Sequence, residues 1–190
     1  MNTNQIPVAS QKRLIRLISA RTDMKFASDA FQRFATANDT DTKYDFLVSM
    51  TLAYCRPFTK NNGIGSLHCE YPSFPDFPDA DMNLRHQRMI DLRNKLFGHS
   101  SIEGTKVWLL APGAISPATG ETAVGYGYAS AKLDFTMPAF VSELHDLIEV
   151  LAKRLDADIK MVAKEIGSNY LKSGETCLLD TGSKLFAWTK

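Results

Sequence analysis

The chain reads as mainly α, a set of helices with a small β-hairpin inserted before the last of them. Three observations predict this. Apolar residues recur at three- and four-residue steps over four stretches. Period-two alternation is confined to one region in the second half of the chain. Proline and glycine cluster between these stretches. At 190 residues the chain suits one domain, 1–190. A chain of this size buries about 70% of its unfolded surface, enough for a substantial core.

The first helix is expected over about 10–37. Ser10 is a suitable N-cap, and Leu14, Leu17, Ile18, Met24, Ala27, Phe31 and Phe34 follow at helical spacing. Asn38–Thr42 breaks it and offers caps for a second helix over about 42–55, apolar around much of its circumference. Pro57 ends that helix at Arg56, because the residue before a proline is disfavoured in the α region. Between Pro57 and Ala80, Pro72, Pro75, Pro78, Gly63 and Gly65 mark a long irregular segment, of the kind that is usually functional or mobile. His68 and Cys69 lie in it, without two further ligands at spacing that would hold zinc.

The third helix is expected over about 81–97, capped by Asp79 or Asp81. A β insertion follows over about 105–135, with strands Thr105–Leu110 and Ala123–Phe135. In the second strand Val124, Tyr126 and Tyr128 alternate with Gly125 and Gly127, leaving one face bare for close approach by a helix or a partner chain. No helix follows those glycines at the distance a dinucleotide loop needs. The last helix is expected over about 137–170, capped by Thr136, with a break near Asp156–Asp158. Its His145 borders the apolar face as a structural histidine. The tail, 172–190, offers a hairpin from Thr176–Leu179 and Lys184–Trp188.

Charge and cysteine usage exclude some classes. Twenty-two basic and 21 acidic residues leave a formal charge of +1, so binding of nucleic acid would have to come from a local patch. Three cysteines without C-x-x-C spacing point to reduced thiols. The start, M-N-T-N-Q-I-P, lacks a cationic-then-apolar signal, and no run approaches about 18 apolar residues. The expectation is a cytoplasmic protein that does not enter a membrane and needs no cofactor or metal.

The stretch with chemical content is Ile90–Ser100, I-D-L-R-N-K-L-F-G-H-S. On an ideal helix Met82, Met89, Ile90, Leu96 and Phe97 fall within an arc of roughly 120°. His86 and Arg93, seven residues apart, lie in the middle of that arc. A cation there needs a partner, since an unpaired buried charge costs several kcal/mol or more. The partner would be an internal carboxylate (Asp146 and Glu149 are candidates), a second subunit, or an anionic ligand. Gly98 is a helix stop that would let the chain reverse and bring His99 back beside Arg93. Arg56, at a helix end, is either a cation answering the dipole or a second phosphate contact.

An arginine, a polar residue and a histidine a few positions later, here Arg93, Asn94 and His99, resemble the motif of the HEPN superfamily. The phrase L-R-N-K-L-F-G-H-S, with His86 two turns upstream, looks most like its abortive-infection branch, and the resemblance spans about Ser10–Leu171. It implies a HEPN-like up-and-down helical bundle and a metal-independent endoribonuclease, a toxin or abortive-infection effector, acting on single-stranded RNA or tRNA. Arg93 would stabilise the phosphorane, His99 would act as acid or base, and Asn94 would orient them; His86 and Arg56 would contact nucleotide or RNA. A homodimer would place two Arg–His sets in one groove, with the apolar arc facing the sister subunit. An antitoxin or nucleotidyltransferase would be the partner. Some members carry a tyrosine two residues after the histidine; here Ser101 stands there, so tyrosine-linked regulation does not carry over. Two alternatives stay open on the same residues. One is a non-catalytic HEPN-like module that binds nucleotide, RNA or protein. The other is a helical interaction protein in which Arg93 pairs with Asp146 or Glu149.

Overall fold

Helix α1, Val8–Thr36, makes the two most extensive helix–helix contacts of the fold, those with the second and last helices. In the computed structural model, which describes residues 6–59, 65–69, 71, 74–94, 105–132, 138–177 and 179, α1 packs along α2 (Thr40–Cys55) and α4 (Pro138–Tyr170). Helix α3 (Ala80–Leu92) lies against α4 and α2. Strands β1 (Thr105–Leu110) and β2 (Gly127–Lys132) form the one sheet among the described residues. The protein is mainly helical with a small antiparallel hairpin, as its periodicity predicts.

The burial pattern gives the reason. On α1, Leu14, Leu17, Ala20, Met24, Ala27 and Ala30 are buried, and their spacing draws one stripe. Three of the six are alanines, so neighbouring backbones can approach closely. On α4 the stripe is Val141, Leu144, Leu147, Ile148, Leu151, Leu155, Val162 and Ile166. At about 1.5–3 kcal/mol per buried side chain of this type, that stripe outweighs any surface ion pair on the same helix. The bridge from Arg21 Nε to Asp156 Oδ1, 2.8 Å long, joins two side chains that are both about one-third to one-half exposed, and such pairs contribute at most about 1 kcal/mol. Helix α4 runs unbroken through 156–158, where a break was expected, because its buried stripe continues from Leu155 to Val162 and Ile166.

Helix ends follow the side chains available. Asp39 caps α2 by accepting from the Thr42 N–H at 2.7 Å, and Asp79 caps α3 by accepting from Asp81 N–H at 2.9 Å. Helix α1 starts at Val8 after Pro7, without a side-chain cap, so Ser10 lies in its first turn and is not the cap expected for it. After Cys55 the chain tightens into a 3₁₀ turn at Arg56–Phe58, consistent with the proline at 57. Thr136, expected to cap α4, lies outside the described residues, as do 180–190 of the tail.

The segment between α2 and α3 belongs to the core. Leu67, Phe74 and Phe77 are buried, the Phe74–Pro75 peptide is cis, and Arg154 of α4 holds the segment. Its Nη1 donates to the Asp76 carbonyl at 2.9 Å, and its guanidinium lies 4.5 Å from the Phe74 ring centroid.

The hairpin pairs Leu110 with Gly127 and Thr105 with Lys132. This leaves β2 shorter than the alternation from Ala123 suggests. An isolated bridge, Ile115–Thr122, and the positive φ of Gly113 and Gly120 shape the connection. Leu109 and Tyr128 face each other across the ladder and are 90% and 75% exposed. No described helix packs extensively on either strand. Space is open beside Gly125 and Gly127, so the close approach expected at the bare face does not occur among the described residues.

Candidate functional site

Helix α3 carries the site residues and shows two different surroundings along one stripe. Seven residues at 100° each return to within about 20° of the start, so His86 and Arg93 share a face about 10 Å apart along the axis. His86 is 9% exposed and Met89 fully buried. They meet α2 of the same chain: His86 Nδ1 lies 2.8 Å from Tyr54 Oη, and the Cys55 thiol donates to the Met89 carbonyl at 3.4 Å. The apolar arc at His86 is therefore covered by the chain's own α2, where the HEPN resemblance implied a sister subunit.

Aromatic rings enclose His86. Phe58 stands edge-on to it, 4.7 Å between centroids at 76°, with Tyr54 at 5.8 Å and Phe77 at 6.2 Å. Burial, and secondarily the neighbouring His68, push its pKa down to about 4. At pH 7 the ring is neutral and is no cationic phosphate ligand. A neutral imidazole has one N–H and one lone pair; whichever Nδ1 uses on Tyr54, Nε2 offers the other. Nε2 has no protein partner among the described residues and is not sealed from solvent.

Beside this ring is a cleft of about 230 Å³, lined among the described residues by Phe58, His68, Phe74, Pro75, His86, Gln87 and Ile90. His68, read from sequence as a loop residue, sits in a 3₁₀ turn at Leu67–Cys69. Its ring lies 6.1 Å from that of Phe58. Phe58, Phe74 and Gln87 were not singled out by sequence. Ile90 shares the stripe of His86 and Gln87 lies beyond its edge, about 100° round the helix and exposed, but no periodicity reports which rings a distant irregular segment brings against it.

Arg93 lies where α3 opens into a wider π-type turn at Arg93–Asn94, a feature frequent at functional sites. It is half-buried, and its Nη1 donates to Asn94 Oδ1 at 2.9 Å. No carboxylate lies within ion-pair distance of it among the described residues. Asp146 and Glu149 are engaged elsewhere: Asp146 contributes to the field at Arg85, while Glu149 lies 3.7 Å from both His145 and Lys153. His145 stacks on Phe31, centroids 3.9 Å apart, in the structural role expected of it. Gly98 and His99 lie outside the described residues, so the structure describes the arginine and the asparagine of the motif but not its histidine.

Arg56 is tied to α1. Its Nη1 lies 2.6 Å from Asp23 Oδ1, with the arginine side chain 56% exposed and the carboxylate 12%. Burial pushes the Asp23 carboxyl above its ordinary range, and the charge and hydrogen bond of Arg56 oppose that. No hydrogen bond or ion pair joins any two of Arg56, His86 and Arg93. Among the described residues no cluster of histidines, cysteines and carboxylates could hold a metal ion, and no helix is long and apolar enough to cross a membrane.

Cys55 is close enough for the charge of Arg93 to favour its thiolate, but burial dominates and pushes its pKa up to about 12. It is an inert thiol. Treatment of the native protein with a maleimide at pH 8 is expected to modify the exposed Cys177 and to spare Cys55 until the protein unfolds. Peptide mapping reads the two apart, and native labelling of Cys55 would contradict its burial.

Comparison of the chain with models of protein families, with curated proteins and with solved structures gave no match.

Proposed function

We propose that the protein is a HEPN-type, metal-independent endoribonuclease, a toxin or abortive-infection effector, whose reaction centre is Arg93, Asn94 and His99. The observation that supports this most is the electrostatic situation of Arg93. It is a half-buried guanidinium with one bond to a neutral amide and no carboxylate beside it among the described residues. Its other donors are left for an anion, and its planar fork matches two phosphate oxygens.

The chemistry requires little else. The ribose 2′-oxygen attacks phosphorus as a base removes its proton. The bond from phosphorus to the 5′-oxygen breaks as an acid protonates that oxygen. A fixed cation offsets the charge that builds on the phosphorane. Histidine titrates near neutrality and suits the acid or base role. One His99 per site fills one of these roles, and a two-fold dimer would supply the second.

Incubation of the protein with RNA in EDTA tests this. Cleavage is expected to leave 2′,3′-cyclic phosphate and 5′-hydroxyl ends; cleavage that starts only when magnesium is added would overturn it. A second reading, a non-catalytic module that retains RNA or nucleotide, is favoured by the aromatic cleft beside His86. Its signature in the same experiment is retention of uncut RNA.

A further inference from the structure

The cleft beside His86 has a composition that narrows what it can hold. At about 230 Å³ it lies below the roughly 300–1,000 Å³ of sites for drug-sized ligands, so it suits one ring system. No lysine, arginine or carboxylate lines it among the described residues, so its occupant carries no net charge there. Its apolar walls include the rings of Phe58 and Phe74, which lie 6.0 Å apart at 20°, and its polar groups are the His68 and His86 imidazoles and the Gln87 amide. Phe58 and Phe74, 8% and 1% exposed, form its floor, and the exposed His68 ring gives stacking surface; an imidazole nitrogen and an amide give directional donors and acceptors. Gln87 is exposed and its Nε2 donates to Asp91 Oδ1 at 3.0 Å, which leaves its carbonyl oxygen without a protein partner among the described residues.

The placement along α3 adds a second constraint. Ile90 lines the cleft and precedes Arg93 by three residues, about 4.5 Å of helical rise; His86 precedes it by seven, about 10 Å. The cleft thus ends, at Ile90, about one helical turn along α3 from Arg93, whose guanidinium has donors to spare, and this backbone spacing is on the scale of one nucleotide.

We infer that this cleft is a nucleobase pocket, receiving one base of the RNA strand whose phosphate Arg93 holds, through stacking on the exposed His68 ring, apolar contact with Ile90 and hydrogen bonds to His86 Nε2 and the Gln87 amide. The phosphate half of this statement rests on the reading of Arg93 given above; the base half does not. Occupancy of the pocket would choose the nucleotide beside the scissile phosphate, giving cleavage a base preference.

The full-length protein is titrated with adenosine, guanosine, cytidine and uridine, with the matching 5′-monophosphates, and with inorganic phosphate, while the histidine ring signals are followed by NMR. At least one nucleoside is expected to shift the His68 and His86 signals saturably, and inorganic phosphate alone to leave them in place. Gln87→Ala and His68→Ala, both at exposed positions, are expected to weaken that nucleoside about tenfold. The monophosphate is expected to bind about tenfold more tightly than the nucleoside, an advantage lost in Arg93→Ala. If no nucleoside moves the two histidines, the pocket is overturned whatever happens at Arg93. If a nucleoside binds there without any phosphate advantage, the pocket stands and the role of Arg93 falls.

Discussion

Arg93→Ala is expected to slow metal-free RNA cleavage by about 10²–10³-fold, the loss typical when one fixed donor to a developing oxyanion is removed. Fold stability should change little, because the side chain makes one hydrogen bond, to its own neighbour Asn94, and closes no ion pair among the described residues. The unfolding midpoint in denaturant is the control for that. Arg93→Lys should recover only part of the rate, since an ammonium keeps the charge but not the planar pair of donors. His99→Ala removes the proton-transfer group and is expected to cost about 10²–10⁴-fold. Both alanine variants cutting RNA at the rate of the unaltered protein would sink the proposed reaction centre.

Acid should destabilise the protein through His86. The folded-state pKa of the ring, about 4, lies below the roughly 6.5 of an unfolded histidine. The unfolded chain therefore binds the extra proton first as pH falls. The stability attached to keeping this ring neutral is complete above about pH 6.5 and is lost progressively down to about pH 4. A difference of about 2.5 units corresponds to about 3 kcal/mol. Other groups also titrate: Asp23, raised by burial, opposes the loss, while Asp39, lowered by its hydrogen bonds with the Thr42 and neighbouring N–H groups, adds a loss of its own only from about pH 4 downward. The comparison is therefore between the protein and His86→Gln, whose stability should fall less by about 3 kcal/mol over that interval. Should the variant not fold, NMR titration of the His86 ring in the unaltered protein gives the answer directly. A midpoint near 6.5 would contradict its burial among Tyr54, Phe58 and Phe77.

These two expectations draw on different kinds of information. Arg93 is legible in the sequence because a cation in the middle of an apolar arc is improbable without a reason, and that argument uses only helical geometry. His86 is legible by the same argument, but the reason found for it is different. The tyrosine that bonds it stands 32 positions earlier on α2, and the rings that desolvate it come from an irregular segment whose path no period describes. Glu149 and Asp146 were reasonable partners for Arg93 by charge alone; the structure gives Glu149 to His145 and Lys153 and places Asp146 in the field of Arg85.

Local patterning determined the presence of the four helices and the position of β1, and narrowed the caps to Asn38–Thr42 and to Asp79 or Asp81, from which the structure selects Asp39 and Asp79, because each depends on residues within one or two turns of one another. It also marked the stretch from Ile90 to Ser100 as chemically unusual. Tertiary structure alone decided that α3 turns His86 into its own chain, that Arg56 is held by Asp23, and that Phe58, His68 and Phe74 meet Gln87 around a cleft. Those outcomes depend on contacts between segments far apart in the chain, whose loop-closure cost is met only when the whole core assembles.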